Sequence, residues 1–323
     1  MGLSEFDLID RYFAHCGASR PDVELGVGDD AALLIPAAGR RLAWATDTLV
    51  AGRHFPEGAD PAAVGHKALA VNLSDLAAMG AQPAWATLAL TLPEAEEAWL
   101  TGFAAGLCDL ATEHEVALVG GDTTGGPLTV TVGVAGFVDR PLPRGGARPG
   151  DGIWVTGELG GGGIGLEVVL GRLTPGEVDG EVLRERYYRP QPRVRAGRAL
   201  ARQASAAVDV SDGLAADLGH ILAASGVGAT LELVDLPLVP AGVRAAGEEA
   251  ARQAALAGGD DYELVVTLPP AVEEEAVAAV AETGGTLTRI GTIEPEPGLR
   301  GRGADGHVAP LAAGGHDHFR RDP

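Results

Sequence analysis

Six aspartates, Asp30, Asp47, Asp75, Asp122, Asp209 and Asp212, share one kind of neighbourhood: each has Gly, Ser or Thr within a few residues. Short carboxylates beside hydroxyls and permissive backbone suit hard cations, which take oxygen ligands. Magnesium completes such a set with water and substrate phosphates. A lone aspartate beside glycine is more often a turn or cap residue. Most of these six, however, sit at the ends of apolar runs that read as strands, where active sites gather. Asp75 stands out among them. It belongs to Asn72-Leu73-Ser74-Asp75, inside a helical-looking run from Pro61 to Met79 closed by Gly80. Asn, Ser and Asp are poor helix-interior residues, because their side chains compete for backbone hydrogen bonds. The triplet therefore reads as aimed at a ligand, with Asp75 the first metal-ligand candidate.

Other motifs are weaker. Gly157 to Gly165 joins a strand to a helix but lacks the Gly-Lys-Ser/Thr ending of a P-loop and does not fit a dinucleotide fingerprint. Its N–H groups either hold phosphate oxygens or form a plain flexible turn. His54-Phe55 follows the Thr46 to Gly52 stretch and is placed to touch ligand, whereas His316 and His318 lie near the end of the chain. No Ser/His/Asp order and no Cys/His zinc spacing is convincing.

The elements that must carry these residues alternate. Helical periods run from Glu5 to His15 and Glu94 to His114, and strands are expected at Leu42–Thr48, Ala84–Leu92, Val116–Val119 and Leu128–Val138. A Pro/Gly-rich stretch, Pro141 to Gly150, reads as a domain linker. Beyond it come strands at Ile153–Thr156, Thr230–Val234, Leu264–Leu268 and Thr286–Ile293, a strand-to-helix junction at Ala207–Leu214, and helices over Val194–Ala204 and Glu273–Thr283. Each half holds a Gly-Gly-Asp turn before a strand, at Gly120 and Gly258; related halves or chance among 48 glycines both explain it. Two domains are expected, residues 1–139 and 150–323.

Composition narrows the class. The net charge of −21 argues against a nucleic-acid partner. Lys67 is the only lysine, so an anionic substrate must be held by arginines, backbone N–H groups or metal ions. No apolar run approaches the ~20 residues that span a bilayer, so no membrane partner is expected. The acidic, mixed start of the chain is no signal peptide. Cys16 and Cys108, far apart in sequence, read as reduced thiols of a cytoplasmic chain.

Taken together the motifs resemble the thiamine-monophosphate kinase family. The resemblance runs through Val27-Gly28-Asp29-Asp30-Ala31, Thr46-Asp47-Thr48-Leu49-Val50 with His54-Phe55, and Lys67 to Ala81. It continues through Gly120-Gly121-Asp122-Thr123-Thr124, Asp209-Val210-Ser211-Asp212-Gly213-Leu214, Asp261-Tyr262-Glu263-Leu264 and His318-Phe319. It implies the α+β, two-domain fold of the aminoimidazole-ribonucleotide synthetase superfamily, built of α/β layers, with the N-terminal sheet pairing in a homodimer. It implies ATP-dependent phosphorylation of thiamine monophosphate to thiamine diphosphate, the last step in making that cofactor, with several Mg2+ ions. Carried over, Asp30, Thr46, Asp47, Asp75, Asp122, Asp209 and Asp212 would bind magnesium; Gly121, Asp122, Arg144 and Ser211 would contact ATP; His54, Asp260 and His316 would line the thiamine phosphate site. Three positions depart from the family pattern: Ala45 replaces a common serine, Asp260 a glutamate, and His316 a larger aromatic.

The expected chemistry is direct in-line transfer, with no catalytic base assigned because the acceptor is already a phosphate. Within the superfamily the competing readings are selenophosphate synthetase, which needs a reactive Cys and a Lys near the N-terminus, and a purine-pathway synthetase. Outside it stands a non-catalytic metal-binding dimer that senses nucleotide.

Overall fold

The computed structural model describes residues 4–312. The chain divides into two compact units: one takes the chain up to Leu76 and again Ala81–Asp139, the other Ala77–Gly80 and everything from Arg140.

The first unit carries strands β1 (Val23–Leu25), β2 (Leu33–Leu34), β3 (Arg41–Val50), β4 (Gln82–Leu92), β5 (Ala117–Gly125) and β6 (Thr129–Val138). Its helices are α1 (Glu5–Tyr12), α2 (Pro61–Ala78) and α3 (Glu97–Glu113). A four-stranded sheet has the order β3-β6-β4-β5, and β1 and β2 form a separate antiparallel pair. That pair brings Val23, Ala32 and Leu34 against Trp85, Val119 and Phe137. On the other face Leu76 of α2 lies against Gly136, where a Cβ would meet its Cδ1 at 3.2 Å. Helix α2 is Ala, Leu and Val nearly all round, and a helix apolar on every side belongs inside. From Ala63 to Ala78 every residue is buried except Asp75, and Lys67 is 2% exposed.

The second unit carries β7 (Gly152–Thr156), β8 (Ala206–Asp209), β9 (Gly228–Glu232), β10 (Leu264–Leu268), β11 (Leu287–Glu294), β12 (Gly298–Arg302) and β13 (Val308–Pro310). They form one sheet in the order β13-β12-β9-β11-β7-β10-β8, in which only β12 and β9 pair in parallel. The helices are α4 (Gly161–Val169), α5 (Glu177–Tyr188), α6 (Val194–Leu200), α7 (Leu214–Ser225), α8 (Pro240–Ala246), α9 (Glu248–Ala257) and α10 (Glu273–Glu282). Ile153, Val208, Leu218, Ile221, Val265 and Ile290 anchor the core under the sheet. A smaller core joins α4, α5, α8 and α9 through Ile164, Leu183 and Ala251.

Several expectations need correction. Gly120-Gly121-Asp122 is not a turn before a strand; it lies within β5. Gly121 has φ +149°, and a Cβ there would stand 1.8 Å from the Leu88 carbonyl oxygen, so glycine serves close strand approach. Helix α5 escapes the sequence reading because its mostly polar segment carries little apolar contrast, and α8 because it is only seven residues long; α9 is amphipathic and was legible in principle. Strands β4 and β6 are interior, and Ala84, Trp85, Val130, Val132 and Val134 are buried within the chain itself. In the first unit the exposed large apolar side chains are Leu42 and Trp44 on the edge strand β3, and Leu33 and Ile35. The cysteines are not reduced: Cys16 and Cys108, 92 residues apart, form a disulfide with Cα atoms 4.9 Å apart.

Candidate active site

In the first unit, the Gly28–Ala31 loop and the β5 glycines face one cavity of about 430 Å3, lined by Asp29, Asp30, Thr87, Gly121, Asp122 and others. The structure thus brings Asp30, Gly121 and Asp122 together, and Asp30 and Asp122 are both exposed. Thr46 adjoins this group. A Cβ placed on Gly133 would lie 2.9 Å from the Thr87 hydroxyl and 3.3 Å from that of Thr46, so both hydroxyls flank one face of the sheet. Asp47, the next residue on β3, points to the opposite face by strand alternation. It is half-buried, and burial raises its carboxyl above the usual range. Its N–H donates to Asn72 Oδ1 at 2.9 Å, while Asn72 Nδ2 donates to the Ala68 carbonyl at 2.9 Å. Asn72 therefore locks β3 to α2 one turn before Asp75. His54 Nδ1 accepts the Val50 N–H at 2.9 Å, which orients the ring and leaves the ring proton on Nε2.

In the second unit, Asp209 closes β8 and is buried, and the turn Val210–Gly213 leads into α7. Gly213 has φ +108°, and a Cβ there would stand 2.8 Å from Ala257 Cα. The turn is braced from below by Asp217, whose Oδ2 accepts the N–H groups of Ser211 at 3.0 Å and Asp212 at 2.9 Å. Burial pushes the Asp217 carboxyl up to about 7, with Asp209 and Asp212 adding to the rise against its backbone hydrogen bonds. Asp260 meets the same turn, its N–H donating to the Ser211 carbonyl at 2.8 Å. Ser211, Asp212 and Asp260 are thus one constellation. Arg144 stands apart on the exposed linker, where its carbonyl accepts from Ser225 Oγ at 3.4 Å. His316 lies outside the described residues.

Among the described residues, no three acidic, histidine or cysteine side chains converge on one point. The carboxylates are spread over separate elements: the Gly28–Ala31 loop, β3, α2 and β5 in the first unit, and the end of β8 with the turn after it in the second. That suits magnesium, which binds through one or two carboxylates and takes its remaining ligands from water and phosphate.

A family model for AIR synthase related protein, N-terminal domain, matches residues 28–138, and its C-terminal counterpart matches residues 148–303. The chain is 48% identical over 322 residues to the thiamine-monophosphate kinase of Escherichia coli (strain K12), with 99% of each chain covered. It belongs to the thiamine-monophosphate kinase family. The crystal structure of thiamine-monophosphate kinase from Stenotrophomonas maltophilia K279a is similar at TM-score 0.86 and 46% identity, over 96% of this chain and 99% of that one. AaThiL complexed with AMPPCP and TMP is similar at TM-score 0.77 and 32% identity, over 91% of this chain and 92% of that one.

Four further residues, which carry no role in the sequence reading of this thiamine-monophosphate kinase family member, brace the turns of the second unit. Asp217 and Asp261 brace turns by accepting backbone N–H groups. Glu263, 1% exposed, accepts from Arg193 Nε at 2.6 Å and Thr156 Oγ1 at 2.7 Å. Arg193 is the fourth. A carboxylate four residues past Ser-Asp-Gly, in the first turn of a helix, was a legible signal for Asp217; the Arg193–Glu263 pair, 70 residues apart, left none.

Proposed function

We infer that this chain transfers the γ-phosphoryl group of ATP to thiamine monophosphate, giving thiamine diphosphate and ADP. The observation that carries the reading is the full-length likeness to AaThiL complexed with AMPPCP and TMP, together with the placement of Asp30, Gly121 and Asp122 on one cavity. The bond from Pγ to the β-bridging oxygen breaks, and a bond from Pγ to a phosphate oxygen of thiamine monophosphate forms. That oxygen carries no proton to remove at neutral pH, so no catalytic base is assigned.

The difficulty is the approach of two anions by a chain whose only lysine is buried. Asp30, Thr46, Asp47, Asp75, Asp122, Asp209 and Asp212 would hold several Mg2+ ions, which when bound offset phosphate charge. Gly121 and Asp122 would take ATP through the β5 backbone, with Arg144 and Ser211 as further contacts. His54, Asp260 and His316 would orient thiamine monophosphate. Residues 1–139 act as the nucleotide, magnesium and dimerisation domain, and residues 150–323 as the second domain. A homodimer through the β3 edge fits the exposure of Leu42 and Trp44 there. Among the described residues no helix is long and apolar enough to cross a membrane. The selenophosphate alternative loses its thiol, because Cys16 is bonded to Cys108.

The test is label transfer from γ-labelled ATP with thiamine monophosphate, free thiamine or no acceptor. Label in thiamine diphosphate alone is expected. ATP turnover indifferent to thiamine monophosphate would overturn the reading.

A further inference from the structure

The glycine run at the start of α4 is neither a phosphate cradle nor a plain flexible turn. The N–H groups of Gly160 and Gly162 donate to the two carboxylate oxygens of Asp261, at 2.7 Å and 3.0 Å. A protein carboxylate already occupies the place a phosphate would take. The glycines are there for contact. A Cβ on Gly162 would lie 2.3 Å from the Asp260 carbonyl oxygen, and one on Gly163 3.0 Å from Gly258 Cα. The first turn of α4 is thus pressed directly onto the backbone of residues 258–260.

That backbone is held in an unfavourable shape. Asp260 and Tyr262, on either side of Asp261, have φ of +58° and +51°, a left-handed conformation that residues with a Cβ rarely keep without support. The support is visible on each side. Asp260 and Tyr262 donate their N–H groups to the carbonyls of Ser211 and Val210, each at 2.8 Å, and Tyr262 Oη donates to Asp260 Oδ1 at 3.2 Å. The Asp261 clamp supplies the remaining anchor, to a different element. The Ser211–Asp212 turn has its own brace in Asp217 and does not depend on that clamp.

We propose that Asp261 is a positioning residue: its two-oxygen clamp on the first turn of α4 holds Asp260 in the left-handed conformation that presents it to the acceptor substrate. The proposal rests on the reading that Asp260 lines the thiamine monophosphate site. Losing the clamp affects acceptor binding and spares the nucleotide side, which Asp217 secures.

The test is Asp261→Asn, which keeps size but turns an NH2 toward one of the two backbone donors. Backbone hydrogen exchange, read by peptide, needs no substrate. It should speed up over residues 258–263 and stay unchanged over 211–217, where Asp217 holds the Ser211 and Asp212 N–H groups. In turnover, KM for thiamine monophosphate should rise roughly tenfold, as for a lost hydrogen bond to a charged group, with KM for ATP within about twofold and kcat little changed. Gly163→Ala pushes the same loop through its backbone and should shift KM for thiamine monophosphate in the same direction, even if Asp261→Asn fails to fold. Unchanged exchange over 258–263 overturns the proposal, as does an equal rise of both KM values. Absence of turnover with thiamine monophosphate in the native protein overturns the functional reading instead, and leaves the exchange result to decide the role of Asp261.

Discussion

At the scale of single residues, Asp75 is the one opening in an otherwise enclosed stretch of α2. The proposed function makes that carboxylate a magnesium ligand. Asp75→Asn should leave the thermal midpoint nearly unchanged and lower kcat roughly 100-fold or more, as loss of one charge-stabilising contact in a transition state does. Near-normal kcat at saturating magnesium would remove Asp75 from the site. Asn72, three residues earlier, acts indirectly through the Asp47 N–H. Asn72→Ala strands that donor beside a buried helix and should destabilise by about 1–3 kcal/mol, with weaker apparent magnesium affinity because Asp47 loses its anchor. Unchanged stability in denaturant titration would show that water replaces the amide. Sequence could single out Asp75, because an Asn-Ser-Asp triplet contradicts helix propensity locally. It could not show what Asn72 does, since the partner is on a strand 25 residues away.

At the scale of elements, the boundaries of α2, β4, β6 and β10 were legible, because apolar period and length agree there. The role of the glycines was not. Those of α4 look like a ligand loop; instead the Gly160 N–H donates to the Asp261 carboxylate 101 residues away, and Gly162 packs on the Asp260 backbone. Glycine reports that a Cβ is excluded but not by what. The same blindness applies to Cys16, which follows α1, and Cys108 on α3, whose pairing depends on how the two are brought together. The disulfide closes a long loop within the first unit. Chain-entropy reasoning gives about 4–5 kcal/mol for a loop of that length, so reduction, or Cys108→Ser, should move the first unit's denaturation midpoint down by a readily measured amount. Coincident oxidised and reduced unfolding curves would show that the bond is not formed in solution.

At the scale of the whole molecule, the β3 edge is the surface to explain. An edge strand with exposed apolar side chains invites association, and Trp44, 63% exposed, sits on it. Light scattering at micromolar concentration should give a dimer, and Trp44→Arg should shift it toward monomer; a native monomer would remove the dimer. Stability should also carry a pH signature from Asp261. That residue is partly exposed, yet its carboxyl is crowded by protein, and burial pushes it up to about 7. Neighbouring Glu263 and Asp260 add to the rise, and the Gly160 and Gly162 N–H groups oppose it. Between the unfolded value of 3.8 and about 7 the folded chain binds a proton that the unfolded chain lacks. Raising pH through that window therefore removes stability, and above it the loss is constant. Asp261→Asn lacks this term. Relative to the native protein it should gain on the order of 2 kcal/mol between pH 5 and pH 8. A stability difference that does not change with pH would place the Asp261 carboxyl in the ordinary range.

Lys67, enclosed within α2, has a practical consequence. It is the only side-chain amine in the chain, so succinimidyl esters, aldehydes and lysine-modifying enzymes find no side-chain target on the folded protein. Amine cross-linkers therefore find no accessible side chain with which to trap a dimer, and carboxyl-directed reagents are the better choice.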